Sequence, residues 1–182
     1  MRTYHRDQCS VFKKTNEQWG EFSNMSAFPI TVSGIDIRTT EALYQALRYP
    51  DHPDLQEVIL DQKSPMAAKM KSKPHRKDLT HPDFEEHKLW IMEWCVRVKI
   101  AQHYETIVPV MQKAGTIVEK SRNDKFWGAV PQKEDPNILI GENHLGEIWN
   151  KLKIELARSP ESLKEVPSLG IESMKLSGSK ID

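Results

Sequence analysis

Phe28-Pro29-Ile30-Thr31-Val32-Ser33-Gly34-Ile35-Asp36-Ile37-Arg38 runs directly into Thr39-Thr40-Glu41-Ala42-Leu43-Tyr44-Gln45-Ala46-Leu47-Arg48-Tyr49-Pro50. Ile30, Val32, Ile35 and Ile37 alternate with other residues around Ser33-Gly34, and such a period of two about a turn signal predicts a short β-hairpin. The pattern then changes. Thr39 or Thr40 offers a capping hydroxyl, the helix it starts runs to about Tyr49, and Pro50 stops it. A small β-hairpin near the N-terminus that feeds a capped helix, followed by further helical segments, makes the expected fold mainly α.

Downstream, Leu55, Val58 and Ile59 share one face of a second helix over residues 54–60. Ser64-Pro65 is a start signal for a third, since Ser accepts from free amides and Pro suits the first helical position. Residues 72–82 are basic and broken by Pro74 and Pro82, which predicts an exposed loop. The longest periodic segment covers 83–103. Within it Lys88, Met92, Lys99 and His103 fall inside a ~60° arc of a helix advancing ~100° per residue. Residues 105–113 make a short helix, Thr116-Ile117-Val118 a short apolar run, and 123–141 read as loop. Leu145, Ile148, Trp149, Leu152 and Leu156 line the core side of a final helix over 144–157. Upstream, Val11-Phe12-Lys13 adds a neighbouring strand. The periodicity ends near Arg158, so residues 1–158 are expected to form one domain and 159–182 a C-terminal tail or linker.

The composition removes several classes of function. With 182 residues, of which 38% are hydrophobic, the chain can bury a proper core. Its 26 Lys+Arg balance 26 Asp+Glu, so any contact with nucleic acid is expected to be local rather than a global basic footprint. Cys9 and Cys95 lack metal-ligand spacing, and no glycine-rich nucleotide motif is present. No metal and no cofactor is expected. The first ten residues are polar, and no stretch approaches the ~20 apolar residues that span a bilayer. These features point to a cytoplasmic protein with no membrane partner.

Four pieces stand in one order: Phe22-Ser23-Asn24; residues 40–49; Val118-Glu119-Lys120-Ser121 leading to Asp124 and Trp127-Gly128; and Asn143-His144-Leu145-Gly146. In order and spacing they resemble the NADAR (YbiA-like) family of N-glycosidases over residues 20–156. The resemblance implies a single-domain YbiA-like helical fold and cleavage of a bond between an anomeric ribose carbon and a nitrogen. Such a reaction passes through an oxocarbenium-like state, which calls for a carboxylate near that carbon and a means of holding water. The resemblance makes Glu41 the leading catalytic candidate. A plain alternative is a carboxylate favoured by the helix dipole by ~0.3–1 kcal/mol.

Asp124 and Trp127 match the family's Asp-x-x-Trp-Gly motif, with Asp124 the second catalytic candidate and Trp127 beside Gly128 a stacking surface. A turn-forming Asp and a core Trp would read the same locally. Glu119 is a further site carboxylate or an ion-pair partner of Arg122. Ser23, Asn24, Asn143 and Gly146 are polar supports, the last two at a helix start suited to a diphosphate. Tyr44 belongs to the same motif as Glu41, and Arg48, Lys69, Arg76, Lys88 and Lys99 are candidates for phosphate contact. Where the family often has Asp-Trp before the long helix, this chain has Asp83-Phe84 or, alternatively, Asp78-Leu79, and the first match makes Phe84 the candidate stacking platform. Ala42 follows Glu41 where the family often has His, Ile37 stands for a Trp, and Lys153 stands where the family ends on Arg.

The variant Tyr44-Gln45-Ala46-Leu47-Arg48-Tyr49-Pro50 resembles a branch that accompanies DNA ADP-ribosyltransferase toxins. That likeness implies an antitoxin that removes ADP-ribose from a guanine nitrogen in DNA, with the ADP-ribose moiety of the modified base and a cognate toxin as partners. Two alternatives remain open: the same chemistry on ribosyl-amino-pyrimidine intermediates of riboflavin synthesis, or a non-catalytic ADP-ribose-binding module.

Overall fold

The computed structural model describes residues 1–181, so Asp182, the last residue of the expected tail, lies outside the described residues. Strands β1 (Arg2–His5) and β2 (Cys9–Phe12) precede the hairpin β3 (Ile30–Val32) and β4 (Ile35–Ile37). Helices α1 (Thr40–Leu47), α2 (Pro53–Leu60), α3 (Pro65–Ser72), α4 (Arg76–Leu79), α5 (Pro82–Gln102) and α6 (Tyr104–Lys113) follow. The chain then forms β5 (Thr116–Glu119), β6 (Val130–Pro131), β7 (Ile138–Gly141), α7 (His144–Arg158) and the hairpin β8 (Lys175–Leu176) and β9 (Ser179–Lys180). Helix makes up 48% of the chain and strand 17%. The fold is therefore mixed α/β with several sheets, which corrects the expectation of a mainly α fold. No helix among the described residues is long and apolar enough to cross a membrane.

The chain divides into two compact units, Met1–Ser26 with His103–Glu165 and Ala27–Gln102 with Val166–Asp182. The first unit holds most of the β structure that the residue pattern concealed. Its antiparallel sheet has the order β1-β7-β6, with Tyr4 opposite Leu139 and Val130 opposite Ile140. In β1, Tyr4 is the one buried residue, so no apolar alternation announced a strand. β6 is two residues long and ends on Pro131, which is compatible with its place at the edge of the sheet. Strand β2 pairs in parallel with β5, Val11 opposite Val118. It does not join the β3–β4 hairpin. Parallel neighbours need a long crossover, and here it runs through more than a hundred residues. Under these strands, Phe22 and Trp149 pack with ring centroids 4.9 Å apart, and the Trp149 indole donates to the Phe22 carbonyl at 3.0 Å. Lys153 donates to the carbonyls of Ala114 and Gly115.

The second unit is built around α1, every residue of which is buried. Thr39 caps it, its hydroxyl accepting from Ala42 N at 3.3 Å, and α2, α3 and α5 pack against it. Ser64 caps α3 in the same way, accepting from Ala67 N at 3.1 Å. The expected loop 72–82 is largely helical. Pro74 is accommodated in a 3-10 turn, Lys73–His75, and Pro82 opens α5. Lys99 is fully buried, with its ammonium 4.8 Å from the centre of the Phe28 ring. The segment after Glu165 also packs into this unit. The indoles of Trp90 and Trp94 donate to Leu169 O and Pro167 O at 2.8 and 2.9 Å. Gln56 donates to Lys175 O and accepts from Ser177 N, while Leu169, Met174 and Leu176 are buried.

Candidate functional site

Glu41 occupies the second position of α1, where the unpaired amides of the first turn favour a negative charge. It is 7% exposed. Its Oε1 accepts from Gln45 Nε2 at 2.8 Å, one helical turn on. Gln45 Oε1 in turn accepts from Ser72 Oγ at 2.7 Å and from Arg76 Nη2 at 3.1 Å. The Tyr49 hydroxyl donates to Ser72 O at 2.7 Å and lies 2.9 Å from Ser72 Oγ. Among the described residues of its unit, Glu41 makes no ion pair with a cation. A carboxylate is thus nearly withdrawn from water and held by one neutral donor.

Arg48 and Arg76 lie beside this network. The Arg48 guanidinium sits over the Phe84 ring, 4.4 Å from its centre, and donates weakly to Thr80 Oγ1 at 3.4 Å. Burial pushes Arg48 below the ordinary arginine range, and the like charge of Arg76 adds to the effect. The Nε–H groups of both arginines are buried without an acceptor. Phe84 is fully buried, with its ring tilted 52° against that of Tyr44 at 5.1 Å. It serves as a platform for Arg48, away from the surface. Burial raises the Tyr44 hydroxyl far above its usual value. Lys88 is half-buried and pairs with Glu85.

The remaining candidates belong to the first unit. Asp124 is exposed, and its Oδ1 accepts from the amides of Phe126 and Trp127, both at 2.9 Å. It thereby shapes the turn that presents the half-buried Trp127, whose neighbour Phe126 packs on His144 at 4.4 Å. Backbone carbonyls of this turn meet the start of α7: Phe126 O accepts from His144 N at 3.1 Å, Trp127 O from Leu145 N at 3.0 Å, and Gly128 O from Asn143 N at 3.2 Å. Amides that the sequence offered to a diphosphate are engaged by the loop. Asn143 is fully buried with φ +57°, its Oδ1 accepting from Glu119 N and its Nδ2 donating to Ile117 O. Ser23 and Asn24 are buried in the turn after the 3-10 helix Gly20–Phe22, where Ser23 Oγ accepts from Met25 N at 3.2 Å.

Gly128 and Gly146 are sites of close approach. A Cβ on Gly128 would stand 2.7 Å from Glu119 O, and one on Gly146 2.4 Å from the Asn143 amide and 2.5 Å from Ile117 O. Gly146→Ala is expected to lower unfolding free energy by ~1–3 kcal/mol through overpacking, measured by urea denaturation. Wild-type stability in that variant would show that α7 can shift freely away from β5.

The NADAR domain model matches residues 11–157. The chain belongs to the NADAR family. Within it, the N-glycosidase YbiA of Shigella sonnei (strain Ss046) is 33% identical over 156 residues, covering 84% of this chain and 91% of the relative. The N-glycosidase YbiA of Escherichia coli (strain K12) is 32% identical with the same coverage. A riboflavin biosynthesis protein of Vibrio vulnificus (strain YJ016) is 28% identical over 157 residues, 86% of this chain but 41% of that protein. The NMR structure of E. coli YbiA superposes with a TM-score of 0.67 at 28% identity, covering 87% of this chain and 90% of the other.

Sequence reasoning singled out Glu41, Arg48 and Arg76 but missed Gln45, Ser72 and Tyr49 as one network. Glu41 and Gln45 stand four apart on a helix, a spacing that signals contact. Ser72 and Arg76 have the same spacing, and it was hidden by the reading of 72–82 as loop.

Proposed function

We propose that this NADAR protein is an N-glycosidase whose Glu41 faces the cationic transition state, and that its substrate is ADP-ribose joined to a guanine nitrogen in DNA. In the reaction the bond from the anomeric carbon to nitrogen breaks with its electron pair moving to nitrogen. Water adds to the carbon and a proton goes to the departing base, leaving free ADP-ribose and restored guanine. The observation that carries the reading is the near-burial of Glu41 without an ion pair to a cation among the described residues. A withdrawn, uncompensated carboxylate costs free energy in the resting protein. Positive charge that grows on the ribose ring at the barrier supplies the missing partner, so the interaction strengthens where it accelerates the reaction.

Support for an ADP-ribose arm comes from the two cations Arg48 and Arg76 beside the Glu41 network, since guanidinium groups suit phosphate oxygens. Lys71, Lys73 and Lys77 are exposed and available to flanking DNA phosphates, which makes binding salt-dependent. The resemblance of residues 44–50 to the toxin-associated branch supports guanine as the base and an antitoxin role toward a cognate ADP-ribosyltransferase in the cytoplasm. The test is to incubate the purified protein with an ADP-ribosylated guanine oligonucleotide and resolve the products by mass. Loss of the modification with release of ADP-ribose is the expected result. Binding without cleavage would show a non-catalytic module.

A second reading, favoured by the riboflavin biosynthesis protein among the relatives, keeps the chemistry and changes the substrate to a free ribosyl-amino-pyrimidine. Turnover of such a metabolite, with no cleavage of the DNA adduct, would select it.

A further inference from the structure

We infer that Gln45 is a positioning residue for this chemistry: it locks the Glu41 carboxylate in place and keeps Arg76 one side chain away from it. The inference rests on the reading above that Glu41 faces the cationic transition state. The hydrogen bonds leave Gln45 a single orientation. Arg76 can donate but cannot accept, so the Gln45 oxygen must face it, and the amide NH₂ must face Glu41. Ser72 Oγ donates to the same oxygen, and the Tyr49 hydroxyl holds Ser72 in place by donating to its main-chain O. The Ser72 and Arg76 donors thus converge on the Gln45 oxygen, and the Gln45 amide NH₂ donates onward to the carboxylate. Gln45, Ser72 and Tyr49 are each at most 3% exposed, so water does not compete for these bonds.

A guanidinium in the place of the Gln45 amide would pair with Glu41 directly and cancel the charge that the transition state needs. The neutral amide avoids this. It transmits the polarising effect of Arg76 through its carbonyl side and offers Glu41 a strengthened N–H without a counterion. Burial holds the proton on Cys95 of α5 and on Tyr44 of α1, since both groups titrate well above their ordinary values.

Two measurements test Gln45, one of them independent of turnover. In free protein at neutral pH, the ¹³C resonance of the Glu41 side-chain carboxyl is expected to move on Gln45→Met, which keeps volume and removes the donor. It should stay in place on Gln62→Met, a surface control whose amide donates to Val58 O. An unmoved resonance in Gln45→Met overturns the inference whatever the enzyme does. With active wild-type protein, Gln45→Met should lower kcat at least about tenfold with KM within about threefold. Gln45→Glu should shift the acid limb of the kcat profile to higher pH, because two carboxylates at hydrogen-bond distance do not both ionise. Normal kcat and an unshifted profile in both variants likewise overturn it. If wild type cleaves no N-glycoside while the resonance still responds, the reading of function fails and the positioning contact stands.

Discussion

Glu41→Gln is expected to lower kcat by at least ~10²-fold, equivalent to ~2.7 kcal/mol at the barrier, while leaving ADP-ribose affinity little changed. The substitution keeps the shape of the side chain and an oxygen to accept from Gln45, so the network Gln45–Ser72–Tyr49 can persist. What it removes is the charge. ADP-ribose is itself anionic, so loss of a carboxylate gives no reason for weaker ground-state binding. A fall in kcat with steady affinity is the mark of an interaction made at the barrier. Single-turnover cleavage of the modified oligonucleotide gives the rate, and calorimetry with ADP-ribose gives the affinity. Near-wild-type turnover would reduce Glu41 to a carboxylate that complements the amides of the first turn of α1.

Helix α1, which carries Glu41, was legible because its start and stop signals are local. Thr39 marks the start of α1, Pro50 lies just past its end, and the motif over residues 40–49 stands in order with the pieces near Asp124 and Asn143. The structure shows α1 over Thr40–Leu47 with the Thr39 cap. Strands β1, β6 and β7 were illegible for a different reason. β1 buries Tyr4 alone, β6 is two residues long, and β7 lies in a stretch rich in Pro and Asp. Their pairing is settled by partners more than a hundred residues away or by a tight return, which no local period records.

The site divides along the same line. Asn143 and Gly146 could be picked out as positions, yet their surroundings depend on contacts that sequence does not display. Asn143 spends its amide on Glu119 N and Ile117 O, and Gly146 leaves room for that amide. Phe84 looked like a surface for a substrate ring and instead supports Arg48 from inside the fold. Gln45 escaped notice because its importance comes from Ser72 and Arg76, whose helical placement was obscured by Pro74.

Removing residues 166–182 is expected to lower the melting temperature by at least about 10 °C, because the segment supplies core rather than covering it. The sequence reads as a tail there, since Leu169, Met174 and Leu176 follow no helix or strand period. All three are nonetheless at most 1% exposed, and each such side chain contributes ~1.5–3 kcal/mol on burial. Their sum is comparable to the ~5–15 kcal/mol that holds a typical domain together. The cut would also strand polar groups. The Trp90 and Trp94 indoles lose the carbonyls of Leu169 and Pro167, and Gln56, which is fully buried, loses Lys175 O and Ser177 N. Each protein–protein hydrogen bond exchanged for water in this way forfeits ~0.5–1.5 kcal/mol. Leu176→Ala in the full-length chain isolates packing from these polar losses and should cost ~2–5 kcal/mol. Thermal unfolding of the truncated and point variants measures both effects, and a truncated protein that melts with wild type would show that α1, α2 and α5 hold their arrangement without this segment.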